Sequence, residues 1–171
     1  MNAHTTLKIA PVTKTVVVET AQARAFEIFT AGIARWWPRF ASFNKASPMK
    51  DMAIEGRVGG RWYETGEDGS EVTLGRVVAW EPPARFALTW DINRKWTQAQ
   101  VTPTEFEVRF AAEGPDATRV ELTHHLFERL GAQAGAEMRT DVERGWSEMV
   151  ERFKANAEGR EYAGESRPCS G

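Results

Sequence analysis

The chain has 171 residues, 42% of them apolar and 27% charged, with a formal net charge of −2. That length suits a single domain with a real core, and the near-balanced charge excludes the dense Lys/Arg stripe of a nucleic-acid or acidic-membrane binder. No apolar run nears the ~18 residues of a membrane span, no basic-then-apolar leader opens the chain, and Cys169 is the only cysteine. A cytoplasmic protein is expected, without membrane contact, internal disulfide or Cys-based metal site.

Residues 1–12 and 158–171 carry no periodicity and are expected to be loose ends around one domain, 13–157. The β-branched segment 13–18 reads as a first strand. Thr20 can then cap a helix over 21–30, whose apolar side is Phe26, Phe29 and Ile33. Gly32 interrupts it, and a short helical turn through Trp36 and Trp37 is stopped by Pro38. Residues 38–51 read as a loop rich in aromatic and basic side chains.

A meander follows. Short strands are predicted over 52–55 and 60–65, and Gly66-Glu67-Asp68-Gly69 is a hairpin signal. A strand over 71–80 ends at Pro82-Pro83. Strands over 85–91, 104–112 and 118–125 alternate apolar with polar residues, and the stretch 92–100 between the first two reads as a polar loop. Short turns between successive strands make the sheet antiparallel. Its apolar face needs a cover. Met138, Val142, Trp146, Met149, Val150, Phe153 and Ala157 supply one as a single helical stripe over 138–157. Gly159 is the stop signal. The fold class is therefore α+β: about seven curved antiparallel strands, in the order strand, two helices, six strands, long helix.

Several short segments, read in order, resemble a known family. They are Val18-Glu19-Thr20 leading to Phe26 and Phe29, Arg35-Trp36-Trp37, Gly59-Gly60-Arg61, Gly75-Arg76-Val77 and Glu81-Pro82-Pro83-Ala84-Arg85-Phe86. Leu88-Thr89-Trp90, Thr118-Arg119-Val120, His124 and Gly145-Trp146 complete the set. Over about 13–157 the chain resembles the START/birch-pollen-allergen (SRPBCC) superfamily. Within it, the chain is most similar to the family named after the activator of heat-shock-protein-90 ATPase homologues. The resemblance implies a helix-grip fold with a deep cavity between the sheet and the last helix. It does not imply one activity, because the superfamily ranges from lipid carriers to cyclases.

Seven tryptophans stand out in the composition. Alternation turns Trp90, Phe106, Phe110 and Leu122 toward the last helix, and Trp146, Met149 and Phe153 face back. Trp36, Trp37 and Phe40 belong near the mouth if the two short helices close one end. Trp62 takes either face, since Gly59-Gly60 leaves the register open. This set is either a pocket for an apolar or aromatic ligand or a solid Trp-rich core. Alternation does not choose, and the resemblance favours the pocket. Gly145 sits inside the last helix at a cost of ~1 kcal/mol against alanine. A close backbone approach there offsets the cost more readily than a ligand would.

The polar candidates are Glu64, Arg76, Asp91 and His124. Arg76 shares parity with Leu74 and would face inward to hold a carboxylate, unless a bulge at Gly75 resets the strand. His124 shares parity with Val120 and Leu122. It is an acid, base or ligand contact, or simply a satisfied inward residue. His125 points to the other face, so the pair cannot share a metal. No nucleotide, dinucleotide or nucleophile-elbow motif is present, and no metal or other cofactor is expected. The first expectation is a small-molecule-binding protein without catalytic residues. A cyclase, dehydratase or hydrolase using His124 or Glu64 is the second, and a chaperone-activator-like interaction module the third. An exposed edge strand leaves room for a homodimer.

Overall fold

The computed structural model describes residues 8–92 and 103–162. Strand β1 (Val12–Val18) leads into helices α1 (Gln22–Thr30) and α2 (Ile33–Trp36). Six strands follow: β2 (Met49–Ile54), β3 (Arg61–Gly66), β4 (Glu71–Glu81), β5 (Arg85–Trp90), β6 (Thr104–Gly114) and β7 (Ala117–His125). A 3₁₀ turn (Phe127–Leu130) then delivers the chain to α3 (Ala132–Ala157). Most of the expected polar loop at 92–100, with Trp96, lies outside the described residues, as do His4, Cys169 and most of both expected loose ends. Among the described residues no helix is long and apolar enough to cross a membrane.

All pairings are antiparallel, and the strands lie in the order β1-β7-β6-β5-β4-β3-β2. The first strand thus closes onto the last, with Val16 opposite Val120. The seven strands form a curved half-barrel around α3, which is the helix-grip arrangement. Met138, Val142, Trp146, Met149, Val150 and Phe153 are the buried side of α3. Each such side chain removed from water contributes ~1.5–3 kcal/mol, so this stripe fixes how the helix lies.

α3 begins six residues before its apolar stripe. Ala132, Ala134 and Ala136 favour helix without needing one. Gly131, at φ 90°, makes the sharp entry that L side chains resist. Gly135 lets the backbone touch the preceding turn, since a Cβ there would stand 2.3 Å from the Phe127 carbonyl oxygen. At the far end Gly159, at φ 70°, stops the helix, and the Arg160 amide donates back to the Ala155 carbonyl at 2.8 Å.

Thr20 does not cap α1. Ala21 holds the cap position without a side-chain bond, and the Thr20 hydroxyl donates to the Ala157 carbonyl at 2.6 Å. The end of α3 competes successfully for that hydroxyl. The neighbouring Glu158 carboxylate accepts from the Glu19 amide at 2.9 Å, Lys154 Nζ at 2.9 Å and Arg160 Nη2 at 2.6 Å. Burial alone would raise its pKa, yet these donors hold it down at about 2.

The interior is packed ring against ring. One half gathers at α1, where Phe26 and Phe29 meet Phe86 and Phe110, and Phe29 also meets Phe153 at 4.8 Å between centroids. The other half joins Trp62, Trp90, Phe106 and Trp146.

Candidate functional site

The two adjacent tryptophans at the end of α2 part company. Trp36 is still helical and packs on Phe29 at 4.8 Å and Phe153 at 5.7 Å, with its indole N–H on the Ile28 carbonyl. Trp37 precedes Pro38, and so its backbone is extended. Its ring turns instead toward Trp62 and Trp146. The Trp37 indole N–H donates to the Ala41 carbonyl at 2.9 Å, which folds the next residues back across the ring.

Those residues are held from below by Glu64. This carboxylate has no exposed surface. It accepts from the Ser42 hydroxyl at 2.5 Å and from the Phe43 amide at 2.7 Å. The Asn44 side-chain Nδ2 donates to the Ser70 hydroxyl at 2.8 Å. A segment that reads as irregular loop is thus tied down at three successive points. Replacing Glu64 with alanine removes two bonds to a buried carboxyl group and is expected to cost about 1–3 kcal/mol. Hydrogen exchange at the Phe43 amide should speed up well beyond the global change. Unaltered protection at that amide would show that the tether does not hold the loop.

Between this segment and α3 lies a pocket of about 370 Å³. Trp37, Phe40, Ala41, Ser42 and Phe43 form one wall, and Trp90, at the end of β5, forms the base. Met138, Asp141, Val142, Gly145, Trp146 and Met149 form the other wall, all from one face of α3. The lining is apolar and aromatic except for Ser42 and Asp141. Phe40 is 57% exposed and stands at the opening.

Five of the residues expected from sequence line this pocket: Trp37, Phe40, Trp90, Trp146 and Met149. Two more lie directly beneath it. Trp62 packs 5.6 Å from Trp90, and Phe106 packs 4.9 Å from Trp146. Trp36, Phe110, Leu122 and Phe153 are core residues that do not reach it. Arg76 is exposed on the opposite face of the sheet. The register between β3 and β4 slips where Tyr63 opposes Thr73 and Trp62 opposes Gly75. That bulge leaves both Leu74 and Gly75 buried and turns Arg76 outward. Phe43 and Ser42 were not readable as lining residues, because a loop has no period. Met138 and Val142 were legible as part of the buried stripe, but not as pocket wall.

His124 sits behind the wall and is completely buried. Trp146 can only donate, so its indole N–H gives a bond to His124 Nδ1 at 3.0 Å. The neutral ring then carries its proton on Nε2, which lies 2.8 Å from the Thr104 hydroxyl. Burial, reinforced by the nearby His125, lowers the His124 pKa to about 3. Both nitrogens are engaged inside the protein, so the residue orients Trp146 rather than facing the pocket. Asp91 lies outside the pocket lining, and burial raises its pKa. Among the described residues no group of His, Cys, Asp and Glu could hold a metal ion.

The sequence matches the Activator of Hsp90 ATPase homolog 1-like protein family over residues 19–158. No curated protein matches it. Among solved structures, the chain is similar to an anthrahydroquino-γ-pyrone synthase, Txn09, complexed with SUM. The two share 35% identity over 88% of this chain and 97% of that one, with a TM-score of 0.61. It is similar to CalC, a self-sacrificing resistance protein from Micromonospora echinospora, at 27% identity, 91% and 97% coverage and a TM-score of 0.64. An Aha1 dimer from Colwellia psychrerythraea shares the fold at 14% identity, 88% and 97% coverage and a TM-score of 0.61.

Proposed function

This chain belongs to the Activator of Hsp90 ATPase homolog 1-like family, and from that premise we propose that it binds an apolar or aromatic small molecule in the pocket between α3 and residues 37–43. The observation that carries the reading is the composition of the walls. Trp37, Phe40, Phe43, Trp90 and Trp146 bring aromatic surface to one opening, with Met149 as an adaptable filler. A volume of about 370 Å³ is within the range of small-molecule sites. The walls are also pre-organised, by Glu64 on one side and His124 on the other, which lowers the ordering cost of binding.

The test is a thermal-shift screen of planar aromatic compounds, followed by calorimetry. A ligand at one hundred times its Kd adds about 2.7 kcal/mol, or a rise of roughly 5–10 °C in Tm. Phe40→Ser should weaken the same ligand about tenfold with little loss of stability, because Phe40 is largely exposed. A screen without any shift, or a Phe40→Ser variant that binds as well as the parent, would remove the reading.

The 35% identity with a synthase favours a second reading, a ring-forming reaction in the same pocket. His124 and Glu64, the acid–base candidates of the sequence, are engaged within the protein and lie outside the lining. Asp141 is the ionisable group that lines the pocket. Under this reading the walls would act mainly by holding a flexible substrate folded for closure. Asp141→Asn would then slow product formation, monitored by mass spectrometry, while leaving ligand affinity nearly unchanged.

A further inference from the structure

We propose that Gly145 is the specificity-determining position of the pocket, a notch in α3 that admits the edge of an extended fused-ring aromatic ligand. The inference rests on the ligand-binding reading above. A glycine inside a helix weakens it by ~1 kcal/mol relative to alanine, and something should offset that cost. α3 contains two such glycines, and they differ. At Gly135 the backbone needs the space, because a Cβ would meet the Phe127 carbonyl at 2.3 Å. At Gly145, apart from its chain neighbours and the backbone of its own helix, no described atom lies within 4 Å of the Cβ position. Close packing, the explanation favoured by the sequence alone, does not account for it.

The position has a place in the pocket instead. The lining residues of α3 fall at 138, 141, 142, 145, 146 and 149, a single face with steps of three and one. Gly145 stands one turn from Asp141 and one turn from Met149. Every other position on this face carries a side chain, so Gly145 is a gap between them. The neighbouring Trp146 cannot swing across to fill it. Its indole is held by His124 and packs on Phe106 at 4.9 Å. Among the described residues the gap therefore stays open, beside a rigid aromatic ring. A flat ligand whose rings extend past Trp146 would lay its edge there.

A packed glycine and an open one respond oppositely to substitution, and this supplies the test. Gly145→Ala and Gly145→Leu are compared with the parent chain by melting and by calorimetry with two probes, 2-naphthol and anthraquinone-2-sulfonate. Gly145→Ala is expected to raise Tm by about 2–4 °C, since the helix gains and nothing is crowded. Anthraquinone-2-sulfonate should bind a few-fold more weakly to Gly145→Ala and at least tenfold more weakly to Gly145→Leu, whereas 2-naphthol should stay within twofold throughout. A lower Tm for Gly145→Ala would mean that packed chain fills the notch, and would overturn the proposal. So would equal weakening of both probes, or unchanged binding of the larger one. If the parent chain binds neither probe, the ligand-binding reading falls and the inference falls with it. If it binds both and Gly145→Leu does not discriminate, only the inference fails.

Discussion

Acidification from pH 6.5 to 4.5 is expected to cost this fold about 2–3 kcal/mol through one side chain, His124. In the unfolded chain an imidazole titrates near 6.5, whereas burial and then the charge of His125 lower it to about 3 in the fold. Between those values the unfolded state holds the extra proton. Stability from the neutral ring is thus complete above pH 6.5 and drains away as pH falls toward 3, at about 1.4 kcal/mol per pH unit. The described groups around the ring are Thr104, Trp90, Phe106, Phe127 and Trp146, and none offers a compensating negative charge. Urea midpoints measured across this range for the parent and for His124→Asn isolate the effect. Asparagine keeps an acceptor near Nδ1 for the Trp146 indole but does not titrate. Parallel pH slopes for the two proteins would refute the assignment. The loss below pH 4.5 mixes in carboxylates such as Glu158, whose contribution fades only as pH falls from 4.5 toward 2.

Trp146→Ala should be among the most damaging single changes, at about 3–5 kcal/mol. The ring is 2% exposed, packs on Phe106, Trp90 and Trp37, and donates the bond that fixes His124. Domains of this kind are stable by only about 5–15 kcal/mol, so the variant would give up a large share of that margin. Trp146→Phe separates the two contributions. It keeps most of the packing but leaves His124 Nδ1 without its donor, for a loss of about 1–3 kcal/mol. Urea unfolding of both variants measures the difference. If alanine costs no more than phenylalanine, the ring is not the keystone of this wall.

Much of the architecture was legible because it follows from periodicity. The alternation of Phe106, Val108 and Phe110 placed β6, and the stripe from Met138 to Phe153 placed α3 against the sheet. The strand and helix order was recovered from turn residues. What periodicity carries poorly is a change of phase. Arg76 had two readings, inward by parity or outward at a bulge, and the slip in the β3–β4 register at Gly75 gives the outward one. The start of α3 was set six residues late, since its first turns are built from alanine and carry no stripe. Thr20 has the chemistry of a helix cap and was claimed by a carbonyl 137 residues away.

The pocket was harder to see, for a related reason. Its α3 wall repeats with the helix, and Trp146 and Met149 emerged from that repeat. Its other wall is non-periodic and is fixed by Glu64, 21 residues from Phe43, so nothing local announced that Ser42 and Phe43 face Trp90. His124 was correctly turned inward by parity. Parity could not say that Trp146 would saturate one ring nitrogen and the Thr104 hydroxyl meet the other.

The indole rings described above also have an optical consequence. Trp36, Trp37, Trp62, Trp90 and Trp146 form one connected chain, each within 6.1 Å of the next, centroid to centroid. At such spacing absorbed light does not stay on the ring that absorbed it. Excitation migrates along the chain and is emitted from whichever indole lies lowest in energy. Three of the five, Trp37, Trp90 and Trp146, line the pocket. A quencher arriving there would dim the emission of the whole array, including rings it never touches. Under the ligand-binding reading the array would act as an amplified reporter of occupancy, and removing a single pocket tryptophan should alter the emission by more than that residue's share.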